Sequence, residues 1–160
     1  MILAYIGLGS NLDNPRQQIE RAFVELDAIA DSRLIARSAL YSSKAVGPGQ
    51  QPDYINAVAL VSTQLNPLAL LDALQAIEQA HQRVRIEHWG PRTLDLDLLL
   101  YGEQTIADTR LQVPHPYLSQ RNFVLYPLAD IAPDLILPDG RSLGSLLELC
   151  PPAELERLES

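Results

Sequence analysis

An α+β fold, with helices packed on an antiparallel sheet, is what this sequence predicts. Three observations carry the reading. Apolar runs of strand length recur within residues 1–101, two other segments repeat at helical spacing instead, and each of those opens on an Asn-Pro pair, Asn14-Pro15 and Asn66-Pro67. Asparagine caps the free N–H groups of a first helical turn, and proline's fixed φ suits the position after it.

The elements follow in order. Ile2–Gly7 is a short run of aromatic and β-branched residues and reads as a buried strand. After the turn Gly7-Leu-Gly-Ser-Asn-Leu, residues Ile19, Ala22, Phe23, Leu26 and Ile29 mark a helix to about Ala30. Leu34–Tyr41 is a second strand. Ser42–Asp53, with Gly47, Pro48, Gly49 and Pro52, is a loop of a length that is uncommon in compact domains and often functional. Tyr54–Thr63 alternates as a third strand, and Leu68, Leu71, Leu74 and Ile77 mark a second helix to about Gln82. Arg83–Thr93 is polar and irregular, and Leu94–Tyr101 is a fourth strand. Strand–helix–strand–strand–helix–strand is the ferredoxin-like order, with helices on one face of the sheet. The remaining residues, punctuated by Pro114, Pro116, Pro127, Pro133 and Pro138, are expected to add a C-terminal extension of short helices and a hairpin.

At 160 residues the chain is expected to form one domain spanning 1–160. Its single cysteine, Cys150, leaves no internal disulfide and suits a reducing compartment. The apolar N-terminus lacks the basic start of a signal peptide, and no apolar run reaches the ~20 residues of a membrane span. A cytoplasmic location is therefore expected. The net charge of −8 argues against nucleic acid as a partner. No long apolar stripe is left for a second copy, so a monomer is expected.

The strongest chemical signal is His88-Trp-Gly-Pro-Arg-Thr-Leu-Asp-Leu-Asp-Leu-Leu-Leu100. Strand side chains alternate, so Asp95 and Asp97 share one face while Leu94, Leu96 and Leu98 take the other. Carboxylates two residues apart sit on Cα atoms roughly 6.6–7 Å apart, a spacing that accommodates two hard cations about 3.5–4 Å apart. The alternative is a solvated face of an edge strand, but aspartate is disfavoured in strands. Arg92 beside the pair suits a polyphosphate. Arg83, Arg85, His115 and Arg121, taken singly, read as surface residues sooner than as ligands, and Trp89 as a core or lid anchor sooner than as a stacking partner. No Walker-type phosphate loop, kinase catalytic loop or dinucleotide glycine fingerprint is present.

That block resembles the signature of the hydroxymethyldihydropterin pyrophosphokinase family along its length. Tyr5-Ile-Gly-Leu-Gly-Ser-Asn-Leu, Gln51-Pro-Asp-Tyr-Ile-Asn-Ala and Pro114-His-Pro-Tyr-Leu-Ser-Gln-Arg-Asn-Phe agree with the family in order and spacing. The resemblance extends from Met1 to about Gly140. It implies transfer of pyrophosphate from ATP to 6-hydroxymethyl-7,8-dihydropterin, with AMP as the second product, in folate biosynthesis. By resemblance Asp95 and Asp97 hold two Mg²⁺ ions. Gln75, Glu78, Trp89 and the backbone of Leu98 belong to the nucleotide side. Arg83, Arg92, His115 and Arg121 hold phosphates, with Arg83 and Arg92 in the catalytic set. Tyr54 and Phe123 sandwich the pterin, Asn56 and Asp95 meet its edge, Ser43 and Val46 offer backbone contacts, and Gly9, Ser10 and Asn11 lie beside it.

The chain departs from the family at Ser43-Lys44-Ala45, where threonine and proline are frequent, and in a shorter Glu78–Trp89 stretch, which leaves Arg83 and Arg85 hard to tell apart. Positioning and charge neutralisation do most of the work of such a transfer, so no protein base is expected. The two long loops are expected to act as lids. Two rivals fit parts of the pattern: a two-metal phosphatase or nuclease, short of further carboxylates here, and a non-catalytic ferredoxin-like binding domain.

Overall fold

A computed structural model describes residues 1–11, 14–44, 53–82 and 93–158. The elements are β1 (Ile2–Ser10), α1 (Pro15–Asp27), β2 (Ser32–Arg37), β3 (Tyr41–Ser43), β4 (Tyr54–Thr63), α2 (Pro67–Gln82) and β5 (Asp95–Tyr101). There follow β6 (Ile106–Ala107), β7 (Gln112–Val113), a short 3-10 helix at Leu118–Gln120, α3 (Asn122–Ile131), α4 (Leu143–Leu149) and β8 (Glu156–Arg157).

The sheet runs β5-β1-β4-β3-β8, with β2 also paired to β4, and every described pairing is antiparallel. The expected four strands therefore lie in the order fourth, first, third, second, as a ferredoxin-like fold requires. β4 and α2 match their expected bounds, and β6 with β7 forms the expected hairpin. The Asn66 carboxamide accepts a hydrogen bond from Ala69 N at 2.8 Å, which caps α2. Asn14 does occupy the cap position of α1, but in a left-handed conformation (φ 64°) and without a side-chain cap bond.

Three boundaries differ from expectation. β1 runs through the expected turn as far as Ser10, because Leu8, Gly9 and Ser10 keep pairing with Ala57, Asn56 and Ile55 of β4. α1 ends at Asp27, because Ala28 and Ile29 tighten into bonds to carbonyls three residues back and the Asp27 carboxylate takes Leu34 N instead. The expected second strand is two, β2 and β3. Between Arg37, opposite Ala59, and Tyr41, opposite Asn56, the chain has one residue more than β4. Ser38 absorbs the mismatch: its hydroxyl accepts from Val58 N at 2.9 Å while its own N–H donates to Val58 O.

Helices cover both faces of the sheet rather than one. Ala4, Ile6, Leu8, Leu96 and Leu98 pack with Phe23 and Leu26 of α1 and Leu70 and Leu74 of α2. On the other face Val58, Leu99 and Leu100 pack with Leu125 and Leu128 of α3 and with Leu143 and Leu146 of α4. β5 serves both layers because Leu99 is an extra residue: Ile6 pairs with Leu98 and Tyr5 with Leu100. The bulge lets Leu99 and Leu100 face the same side.

Candidate active site

Along β1 the residues Tyr5, Gly7 and Gly9 point toward α3, since Ala4, Ile6 and Leu8 point toward α1 and α2. Gly9 lies between Asn56 of β4 and Asp95 of β5, and Gly7 between Val58 and Asp97. Residues directly across a ladder share a face, so Asn56, Gly9 and Asp95 form one row and Val58, Gly7 and Asp97 the next. The two glycines leave those rows without side chains in the middle. A β-carbon at Gly9 would lie 3.2 Å from Asn56 Nδ2, and one at Gly7 3.4 Å from a Leu99 methyl. The result is a trough in the sheet, roofed by the start of α3.

This cavity encloses about 380 Å³ and is lined by Gly7, Leu8, Gly9, Ser43, Lys44, Tyr54, Asn56, Ala57, Asp95, Asp97, Arg121, Phe123 and Val124. Asp95 and Asp97 stand half-buried on β5, with Leu96 between them buried on the other face. At the far end Ser43 Oγ donates to Asn56 Oδ1 at 2.6 Å, which turns the amide nitrogen of Asn56 toward the space beside Gly9. The Arg121 guanidinium lies 5.5 Å from the Phe123 ring centre and 5.2 Å from that of Tyr117. The lining therefore joins an aromatic and amide end to an end with two carboxylates, with Arg121 on the α3 side.

Other expected residues stand around it. His115 donates its backbone N–H to Leu99 O at 3.0 Å, and its Nδ1 accepts from Tyr117 N at 3.2 Å. Burial pushes its imidazole below the ordinary histidine value, assisted by Arg121 and opposed by Asp97. Glu78 of α2 accepts from Leu96 N at 2.8 Å, on the outer edge of β5, the last strand of the sheet among the described residues. Strand alternation turns the backbone groups of Leu98 to that same edge. Gln75, one turn earlier, is exposed and accepts from Arg110 at 3.3 Å. Ser10 and Asn11 are fully buried at the end of β1, and the Ser10 hydroxyl donates to Thr93 O.

Eight of the expected residues thus share one cavity: Gly9, Ser43, Tyr54, Asn56, Asp95, Asp97, Arg121 and Phe123. Gln75, Glu78, Leu98 and His115 do not line it and belong to its surroundings. Val46, Arg83, Arg85, Trp89 and Arg92 lie outside the described residues, as do most of the two loops expected to be lids. Gly7 and Lys44 line the cavity without having been singled out for it. For Lys44 the available signal was composition, because it is the only lysine in the chain. It pairs with Asp53 at 3.4 Å.

All donors that Asp95 and Asp97 offer are carboxylate oxygens, and among the described residues no group of three or more His, Cys, Asp or Glu is placed to hold a metal ion. Two carboxylates without a closed cage suit Mg²⁺, which usually completes its shell with water and substrate phosphate.

Residues 5–133 match the 7,8-dihydro-6-hydroxymethylpterin-pyrophosphokinase (HPPK) family. The 2-amino-4-hydroxy-6-hydroxymethyldihydropteridine pyrophosphokinase of Pseudomonas aeruginosa is 56% identical over 154 residues, covering 96% of this chain and 95% of that one. The enzyme of the same name from Haemophilus influenzae is 48% identical over 148 residues, 92% of each. Among solved structures, Plasmodium falciparum HPPK-DHPS with SDX-DHP superposes with a TM-score of 0.71 at 15% identity, over 93% of this chain and 43% of that one. An HPPK-DHPS in complex with substrates gives 0.72 at 13% identity, over 93% and 45%. This chain spans less than half of those two chains, and at such identities they speak for the fold alone. With the match over residues 5–133 and the two close relatives, the chain belongs to the 7,8-dihydro-6-hydroxymethylpterin-pyrophosphokinase family.

Proposed function

We propose that residues 1–160 act as one unit that transfers the terminal pyrophosphoryl group of ATP to the hydroxymethyl oxygen of 6-hydroxymethyl-7,8-dihydropterin. The observation that carries this reading is a single cavity with an aromatic and amide end opposite a pair of carboxylates. A flat heterocycle fits between Tyr54 and Phe123, with its polar edge toward Asn56 and the backbone of Ser43. Its hydroxymethyl arm then points along the trough toward Asp95 and Asp97.

In the reaction the pterin oxygen bonds to the β-phosphorus and the bond from that phosphorus to the α,β-bridging oxygen breaks. The bridging oxygen leaves with AMP, and the hydroxyl proton passes to water. Asp95 and Asp97 would hold two Mg²⁺ ions, whose chemistry is to neutralise the phosphate oxygens and acidify the attacking hydroxyl. Arg121 and His115 border the same end and favour anionic oxygens there, with Arg83 and Arg92 added by resemblance. Gln75, Glu78 and the outer edge of β5 at Leu98 make up the nucleotide side, with Trp89 added by resemblance. Val46 joins the pterin side in the same way. No side chain is asked to act as a base, because positioning and charge neutralisation dominate phosphoryl-type transfer. The unit works as a monomer in the cytoplasm.

The test is product analysis after incubation with ATP, Mg²⁺ and the pterin. AMP that forms only with pterin present, and is lost in Asp95→Ala and in Asp97→Ala, supports the reading. ADP would mean transfer of one phosphoryl group, inorganic phosphate a phosphatase, and no pterin-dependent product a binding domain.

A further inference from the structure

Beyond α4 the chain turns back along one stripe of α3. Tyr126 Oη donates to Cys150 O at 3.1 Å, and Asn122 Nδ2 donates to Pro151 O at 3.3 Å and Pro152 O at 2.9 Å. Arg157 Nε lies 3.7 Å from Asp130 Oδ2. Residues 122, 126 and 130 are four apart and therefore stack on one side of the helix. The same segment also pairs as β8 with Tyr41 and Ser42 of β3, and Leu158 N donates to Leu40 O at 2.8 Å. Asp130 completes the knot by accepting from Tyr41 Oη at 2.9 Å and from Ala39 N at 3.1 Å.

The two elements tied together in this way are walls of the cavity. β3 brings Ser43 and leads to Lys44, while α3 and the residue before it bring Phe123 and Arg121. The gap between Tyr54 and Phe123 grips a flat ring only at one spacing, and Ser43 of β3 pairs directly with Tyr54 of β4, so what fixes β3 against α3 bears on that grip. α2 and the outer edge of β5 take no part in these contacts. The segment also lies beyond residues 5–133, so its contacts are read from this chain alone.

We propose that Cys150–Leu158 is a strap that sets the distance between the two walls, with Asn122, Tyr126 and Arg157 as positioning residues for the pterin. The inference rests on the pterin reading of the cavity given above. Two prolines stiffen the start of the strap, and Leu155 N closes a turn on Pro152 O at 2.9 Å, so it holds its shape between its two anchorages.

The test uses the full-length chain carrying Asn122→Ala, Tyr126→Phe and Arg157→Ala together, titrated with the pterin by fluorescence at saturating ATP analogue and Mg²⁺, and separately with the analogue alone. Pterin Kd should rise about tenfold, the scale expected when a binding wall loses its preorganisation, while the analogue's Kd stays as in the parent chain. Amide hydrogen exchange should quicken in residues 39–44 and 121–126 and stay unchanged in α2. Arg157→Lys alone, which keeps the charge, should retain parental pterin affinity. Quickened exchange with unchanged pterin Kd overturns the positioning role. Pterin and analogue affinities weakening together, in step with a lower melting temperature, overturns it as well and leaves only a structural brace. If the parent chain binds no pterin, the functional reading fails, and the exchange data still decide whether the segment couples β3 to α3.

Discussion

Tyr41 joins a strand to a helix through one hydroxyl, shared between both oxygens of Asp130 at 2.9 and 3.0 Å. Burial, and then the Asp130 carboxylate, push its phenol up to about 12. In the unfolded chain the phenol titrates near its ordinary value of about 10. Above pH 10 the unfolded chain therefore gives up a proton that the folded chain keeps, and stability falls as pH rises toward 12. Thermal melts between pH 9 and 11.5 should show a steeper decline for the parent chain than for Tyr41→Phe; equal slopes would refute the coupling. At this scale Asp95 and Asp97 were legible, since alternation alone puts them on one face. Lys44 and Gly7 were not, because a cavity wall exists only once β1, β3 and β4 have been placed side by side. Resemblance, rather than any local pattern, singled out Tyr54, Asn56 and Phe123.

Among the elements, β1 makes the trough by what it omits. A methyl at Gly9 would crowd Asn56 Nδ2 at 3.2 Å, and Asn56 is held in place by Ser43. A methyl at Gly7 meets only a leucine methyl, at 3.4 Å. Gly9→Ala should therefore raise the pterin KM several-fold with little change in the ATP KM, whereas Gly7→Ala should change the pterin KM less; steady-state kinetics with each substrate varied would show the reverse ranking if the geometry were otherwise. α2 and the long strand β4 were readable because their periodicity is unbroken from end to end. The split between β2 and β3 was not. It depends on a serine hydroxyl standing in for a backbone group, which leaves no mark in hydrophobic periodicity.

The molecule as a whole has a helical layer on each side of the sheet, and the second of these was the least legible part. α3 and α4 are short, and a proline, Pro127, lies inside α3. Their apolar residues read as an extension around one core rather than as a core of their own. Leu125 and Leu128 are fully buried on that side, as Leu74 is on the other. If both layers are true cores, Leu125→Ala should cost about 2–5 kcal/mol, the range for a buried leucine, comparable with Leu74→Ala. Chemical denaturation would measure it, and a cost well under 1 kcal/mol for Leu125→Ala would mean that α3 merely lies on the surface. Because α3 also carries Phe123, packing in this layer and the shape of the cavity are linked.

The extra residue in β5 divides that strand into halves of opposite parity. Before it, odd-numbered residues face α3 and even-numbered ones face α1 and α2; after it, Leu100 faces α3 and Tyr101 the other side. Removing Leu99 would consequently turn no other side chain over, because Leu98 and Leu100 would simply resume alternation. A one-residue gap inside a strand ordinarily signals a faulty alignment, since it inverts everything downstream. At this position it would signal only the loss of one leucine and of the carbonyl that anchors His115, so chains of two lengths can share the same inner and outer faces here.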